Sequence, residues 1–144
     1  MDIHPIYNEY PFDVVLRILR QDKCELDGEF PGFVEKYEAL SKIIPTYFTV
    51  VDLGCNLAAQ CCLFKNHKEY IGVDVIDLER FKVANTRHYV CSISEFVRKH
   101  KDKLPSATFA ICSYVPDEVA VEIVRRTFNN VFCFYPQHTS PLYL

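Results

Sequence analysis

The chain has 144 residues, 49% hydrophobic and 24% charged, with a net charge of −3. That length is one domain's worth, and the balance is that of a globular protein, which excludes a disordered or fibrous chain. The small negative charge supplies no field to draw in nucleic acid or an anionic membrane, and no apolar run reaches the ~20 residues that span a bilayer.

The amino terminus, Met1-Asp2-Ile3-His4-Pro5, lacks the basic and apolar regions of a secretory leader. A cytoplasmic location is the default expectation. Seven cysteines stand at 24, 55, 61, 62, 91, 112 and 133, with no C-x-x-C pair and no cysteine–histidine cluster at zinc spacing. They are expected to be reduced, and Cys55, Cys91, Cys112 and Cys133, in or just after apolar runs, to act as small hydrophobes. The five histidines are dispersed, without ligand or triad spacing, and no metal site is expected.

Residues 1–45 read as an amino-terminal arm and two helices, 46–136 as a sheet core, and 137–144 as a tail, all within one domain. Pro5, Pro11 and two aromatics, Tyr7 and Tyr10, mark 1–11 as extended. Phe12, Val15, Leu16 and Leu19 share one face of a helix over 12–21. Two of the four glycines fall in the polar stretch 22–32, a loop. A second helix over 33–44 carries Val34, Tyr37, Leu40 and Ile44 on its apolar side and stops at Pro45. Such helices could form a lid or simply cover one sheet face.

Tyr47-Phe48-Thr49-Val50-Val51 is a β-branched and aromatic run suited to a strand buried on both faces, and Asp52-Leu53-Gly54 ends it in a turn. A short helix is expected over 56–65, with Asn56 as N-cap, Leu57, Cys61 and Phe64 at helical spacing, and Gln60 solvated. Tyr70-Ile71-Gly72-Val73 is strand two, closed by Asp74. The stretch 78–84 is a weak helix or an irregular crossover. Strand three is His88-Tyr89-Val90-Cys91. Ser92 and Glu95 open a helix through His100 whose basic tail, 98–103, suits the helix dipole better than a phosphate site. Strand four spans 107–112, a helix from Asp117 to Phe128 follows, and strand five covers 131–135. Strands alternating with helices give a parallel sheet with right-handed crossovers.

Two of these segments carry a family resemblance, over roughly 50–135. Asp52-Leu53-Gly54-Cys55-Asn56 resembles the first motif of class I S-adenosylmethionine-dependent methyltransferases, D/E-x-G-x-G-x-G. Gly72-Val73-Asp74 resembles their second, an acid ending strand two. Asp52 and Asp74 also stand close to the roughly 20-residue step at which a βαβ unit sets an acid against a ribose. Of the motif's three glycines this chain has Gly54, with Asn56 and Ala58 at the other two positions. Asn56 can adopt left-handed backbone, and Ala58 is the smallest residue with a Cβ.

The resemblance implies a Rossmann-like three-layer α/β sandwich, strand order 3-2-1-4-5, helices on both faces and S-adenosylmethionine as cofactor. The chain ends before the family's sixth and seventh strands, so strand five would be an edge, covered by the tail or by a second subunit in a homodimer. Ligands of open α/β sheets bind where strand order reverses, between strands one and four. The cofactor-binding residues gathered there would be Asp52, Gly54, Cys55, Asn56, Asp74, Val75, Ser92 and Ser113. The turn at Gly54 would pass beneath the methionine part, Asp74 would take both ribose hydroxyls, and Val75 and Ser92 would flank the adenine. Asp52 would lie near the amino group or support the turn.

Ser113, Tyr114 and Pro116 occupy the place of the family's fourth motif and are the catalytic candidates, although the segment reads more readily as a strand-to-helix turn. The leading expectation is a small domain that binds S-adenosylmethionine and transfers its methyl group to an acceptor the sequence does not name. The alternative is a degenerate Rossmann-like domain serving as a binding or regulatory subunit. A nicotinamide dinucleotide ranks third, because its pyrophosphate asks for closer backbone approach than Asn56 and Ala58 allow.

Overall fold

The computed structural model describes residues 33–113 and 118–134. The expected arm, the helix over 12–21, Tyr114, Pro116, Asp117 and the tail lie outside them. The described residues form a five-stranded, wholly parallel sheet with order β3-β2-β1-β4-β5. The strands are β1 (Thr49–Leu53), β2 (Glu69–Asp74), β3 (Thr86–Val90), β4 (Thr108–Ser113) and β5 (Val131–Phe134). This is the Rossmann-like α/β arrangement and strand order expected.

Helix α1 (Phe33–Ile43) and a 3₁₀ helix (Ala59–Phe64) cover one face of the sheet; α2 (Ile93–His100) and α3 (Glu118–Thr127) cover the other. Alternation along β1 assigns its side chains to two cores. Val50 faces Tyr37, Leu40, Phe64, Tyr70 and Ile111, while Val51 and Leu53 face Phe96, Val97, Ala110, Val121 and Val124. All five β1 residues are buried, as a central parallel strand requires.

The second face follows local rules. Ser92 caps α2, its Oγ accepting from the Glu95 amide at 3.1 Å, and Arg98, Lys99 and His100 fill the last turn. Helix α3 pairs Glu122 with Arg126 one turn on and ends in Arg125 and Arg126.

The first face departs from expectation in two places. Strand β1 starts at Thr49, two residues late, because Pro45 to Phe48 close a turn (Phe48 N–H to the Pro45 carbonyl, 3.0 Å) and Tyr47 is exposed. The shift draws Asp52 and Leu53 into the strand. The helix expected from Asn56 is a six-residue 3₁₀ helix starting at Ala59. Asn56 and Ala58 have φ of 55° and 62°, which no right-handed helix admits, so Asn56 is a turn residue and not a cap. The connection from β2 to β3 has no helix, which is the irregular crossover of the two readings expected for 78–84. Residues 75–85 run irregularly across the strand ends, tied to the turn by the Phe81 N–H to the Leu57 carbonyl at 2.9 Å. None of the helices described is long and apolar enough to cross a membrane.

Candidate functional site

The order 3-2-1-4-5 reverses direction between β1 and β4, and open α/β sheets place their ligands at the strand carboxyl ends of that switch point. The chain leaves β1 there in a turn, 54–58, with three left-handed residues at alternate positions: Gly54 (φ 81°), Asn56 (55°) and Ala58 (62°). Left-handed backbone costs a residue with a Cβ on the order of 1–2 kcal/mol. The cost is least for Gly54 and small for Asn56; Ala58 bears it while burying its methyl in the first core.

Hydrogen bonds to β2 hold the turn. The Gly54 and Cys55 amides donate to the Val73 carbonyl at 2.8 and 3.1 Å, and the Asn56 amide donates to Asp74 Oδ2 at 2.8 Å. Asp74 Oδ1 accepts from the Ile76 amide at 3.1 Å. Each carboxylate oxygen offers two acceptor positions, so one per oxygen remains after these bonds, and the two amides fix where they point. The Cys91 amide donates to the Asp74 carbonyl at 3.1 Å, which brings Ser92 to the same edge. Because Cys112 is the register partner of Leu53, Ser113 stands beside Gly54.

Gly54, Asn56, Asp74, Val75, Ser92 and Ser113 thus gather at one edge. Val75, two-thirds exposed (67%), follows Asp74, and Val90, 54% exposed, is the register partner of Asp74 on β3. The Ser92 hydroxyl is committed to the α2 cap.

Two residues of the set turn inward. Asp52 is 0% exposed, and of its two expected places it takes the supporting one. Its Oδ1 accepts from the Tyr37 hydroxyl at 2.7 Å; its Oδ2 accepts from Gln60 Nε2 at 2.7 Å and the Tyr70 hydroxyl at 2.5 Å. Gln60 also donates to the Cys55 carbonyl at 3.2 Å, which links Asp52 to the turn. Burial, and then the charge of Asp52, push the Tyr70 hydroxyl up, so it stays a donor. Cys55 contributes only backbone to the edge. Its thiol is buried, and burial followed by Asp52 pushes it well above the usual thiol range, which removes it as a nucleophile.

Two participants carry no signal in the sequence. Gln60, expected in solvent, is buried on the Asp52 carboxylate. Arg80, from the irregular crossover, is 4% exposed and spans the ends of β2 and β3. It donates to the carbonyls of Gly72, Tyr89, Asp74 and Ile76 at 2.7–3.3 Å and reaches Cys55 Sγ at 3.7 Å. Five donors in a planar fork let one guanidinium staple two strands and the following loop. Gly72 makes room for this packing: a Cβ there would sit 2.6 Å from His88 Nδ1 and 2.9 Å from Cys55 Sγ.

Among the described residues, no group of three or more His, Cys, Asp or Glu side chains is placed to hold a metal ion. Comparison with known protein families, with curated proteins and with solved structures finds no match.

Proposed function

We propose that the carboxyl edge of this sheet binds S-adenosylmethionine and presents its sulfonium methyl group to an acceptor. The observation that carries the reading is the left-handed backbone at 54, 56 and 58, the three positions at which the resembled motif has glycine. With only one of the motif's glycines, the chain still adopts left-handed backbone at all three positions. Asp74 supports the same reading, because its two remaining acceptor positions suit a ribose diol. Val75 and Val90 leave apolar surface beside that carboxylate, suited to the faces of an adenine ring. A sulfonium needs alignment with its acceptor more than a strong base, and a turn pinned to β2 supplies a fixed platform.

The second reading is a domain that binds or regulates without catalysis. It is favoured by the Asn56 amide on Asp74, which gives that carboxylate a structural task in holding the turn against β2.

Isothermal titration with S-adenosylmethionine and S-adenosylhomocysteine, with NAD as control, tests the binding. The expected Kd for the first two is on the order of micromolar, and Asp74→Ala should weaken both by at least about tenfold. No heat from either at about millimolar ligand would overturn the proposal. Binding without label transfer from methyl-labelled cofactor to protein, nucleic acid and small-molecule fractions would leave the second reading.

A further inference from the structure

Two of the cysteines expected to act as separate small hydrophobes are direct neighbours. Cys112 on β4 and Cys133 on β5 are register partners in a parallel pair. Both face the second core: Cys112 is buried within it, and half-buried Cys133 packs against it from the outermost strand described. Adjacent strands run about 4.8 Å apart, within the roughly 4.4–6.8 Å between Cα atoms that a disulfide spans. The Cys133 thiol is close enough to be the first cause, ahead of burial, that pushes the Cys112 thiol up.

The remaining described cysteines lack such a partner arrangement. Cys55, Cys61 and Cys62 are buried thiols pushed up first by burial, and half-buried Cys91 stands apart at the end of β3. All six described cysteines are free thiols.

We propose that Cys112 and Cys133 form a reversible disulfide across β4 and β5 when the protein meets a hydroperoxide. The proposal stands apart from cofactor binding. The neighbouring Cys133 thiol and burial push the Cys112 thiol well up, and Cys133 is the more accessible of the two sulfurs, so Cys133 is the one that meets the peroxide. Its thiolate attacks the terminal oxygen of the hydroperoxide. The O–O bond breaks, an alcohol or water leaves, and Cys133 becomes a sulfenic acid. The Cys112 sulfur then attacks the Cys133 sulfur, the S–O bond breaks, and hydroxide departs as water with the proton of Cys112. Two thiols lose two electrons, and the hydroperoxide takes them up. A bond clamped between paired strands is strained, so excess dithiol should reopen it.

Trypsin separates the two residues, since peptide 104–125 contains Cys112 and peptide 127–144 contains Cys133, each as its sole cysteine. The full chain is exposed to hydrogen peroxide, alkylated without reduction, digested and weighed. The expected product is the two peptides joined, lighter than their sum by two hydrogens and separated again by dithiothreitol. Cys112→Ser should leave Cys133 as a sulfenic acid that dimedone traps, and Cys133→Ser should leave Cys112 alkylated as a free thiol. Alkylation of both residues while Cys91 oxidises would overturn the proposal. So would a Cys133–Cys133 link between two chains.

Discussion

The two faces of the sheet are built on different principles. Against α2 and α3 lies an apolar core of valines, Phe96 and Phe128, entered by helices that obey capping, dipole and amphipathic rules. Against α1 and the 3₁₀ helix the core is wired by buried polar groups. Asp52 gathers two tyrosine hydroxyls and an amide, Arg80 gathers four carbonyls, and His67 Nε2 meets the Ile44 carbonyl at 2.8 Å. The apolar face tolerates imprecision, because burial is non-directional. The polar face does not, since each stranded donor or acceptor costs about 1–3 kcal/mol. The turn at 54–58 hangs from the polar face, where backbone position is held most closely.

That contrast is broken most directly at neighbouring residues of β1 facing opposite ways. Asp52→Ala strands three buried donors and should lower the unfolding free energy by about 4 kcal/mol. Val51→Ala, one residue earlier on the apolar face, should lower it by about 2 kcal/mol. Urea denaturation measures both, and equal losses would mean that the polar wiring adds nothing beyond packing. On the apolar face, Ser92→Ala removes the α2 cap and should cost about 1 kcal/mol. Hydrogen exchange should place that loss within α2, and a loss spreading into β1 and β2 would join faces that are held to be separate.

The smallest expected effect is a pH dependence from the polar face. Burial lowers the His88 pKa below its ordinary value of 6.5, with Arg80 and Lys82 adding to the shift. A neutral ring can donate from Nε2 to the Phe81 carbonyl at 2.9 Å, while Nδ1, packed over Gly72, is buried without a hydrogen-bond partner among the described residues. Between the folded and unfolded pKa values the unfolded chain binds more protons. The contribution of His88 is therefore present above about pH 6.5 and is lost as pH falls below it. Thermal midpoints from pH 7.5 down to about pH 5 should fall less steeply for His88→Gln than for the parent. His100, also lowered by burial and by Lys103 and Lys99, is retained in both proteins, so the difference between the slopes reports His88 alone. Identical slopes would show that the ring titrates as it does in the unfolded chain.

What could be read ahead of the structure divides along the same line. Ser92 and Glu95 announce α2, and the apolar runs announce β4 and β5 to within about two residues, because local propensity and burial agree there. The order of strands followed from the resemblance, and the sheet has that order. At the candidate site, Asp74 and Gly54 are legible because strand–turn–strand spacing sets them at carboxyl ends. Asp52 was legible as a residue but not as a buried one, since the strand runs on through Leu53 and carries the carboxylate into the first core instead of ending ahead of it. Gln60 and Arg80 were not legible. Their partners are the Asp52 side chain and carbonyls of two separate strands, and no periodicity records a bond to a distant backbone oxygen.

The sequence by itself determined the parallel α/β alternation, the capped amphipathic helices and the acid closing β2, because periodicity, caps and turns are short-range properties of the chain. Only the tertiary structure decided the left-handed path through Asn56 and Ala58, the inward turn of Asp52, the staple at Arg80 and the pairing of Cys112 with Cys133. Each depends on which strands become neighbours. Strain at one residue is accepted when hydrogen bonds and packing from elsewhere in the fold outweigh it.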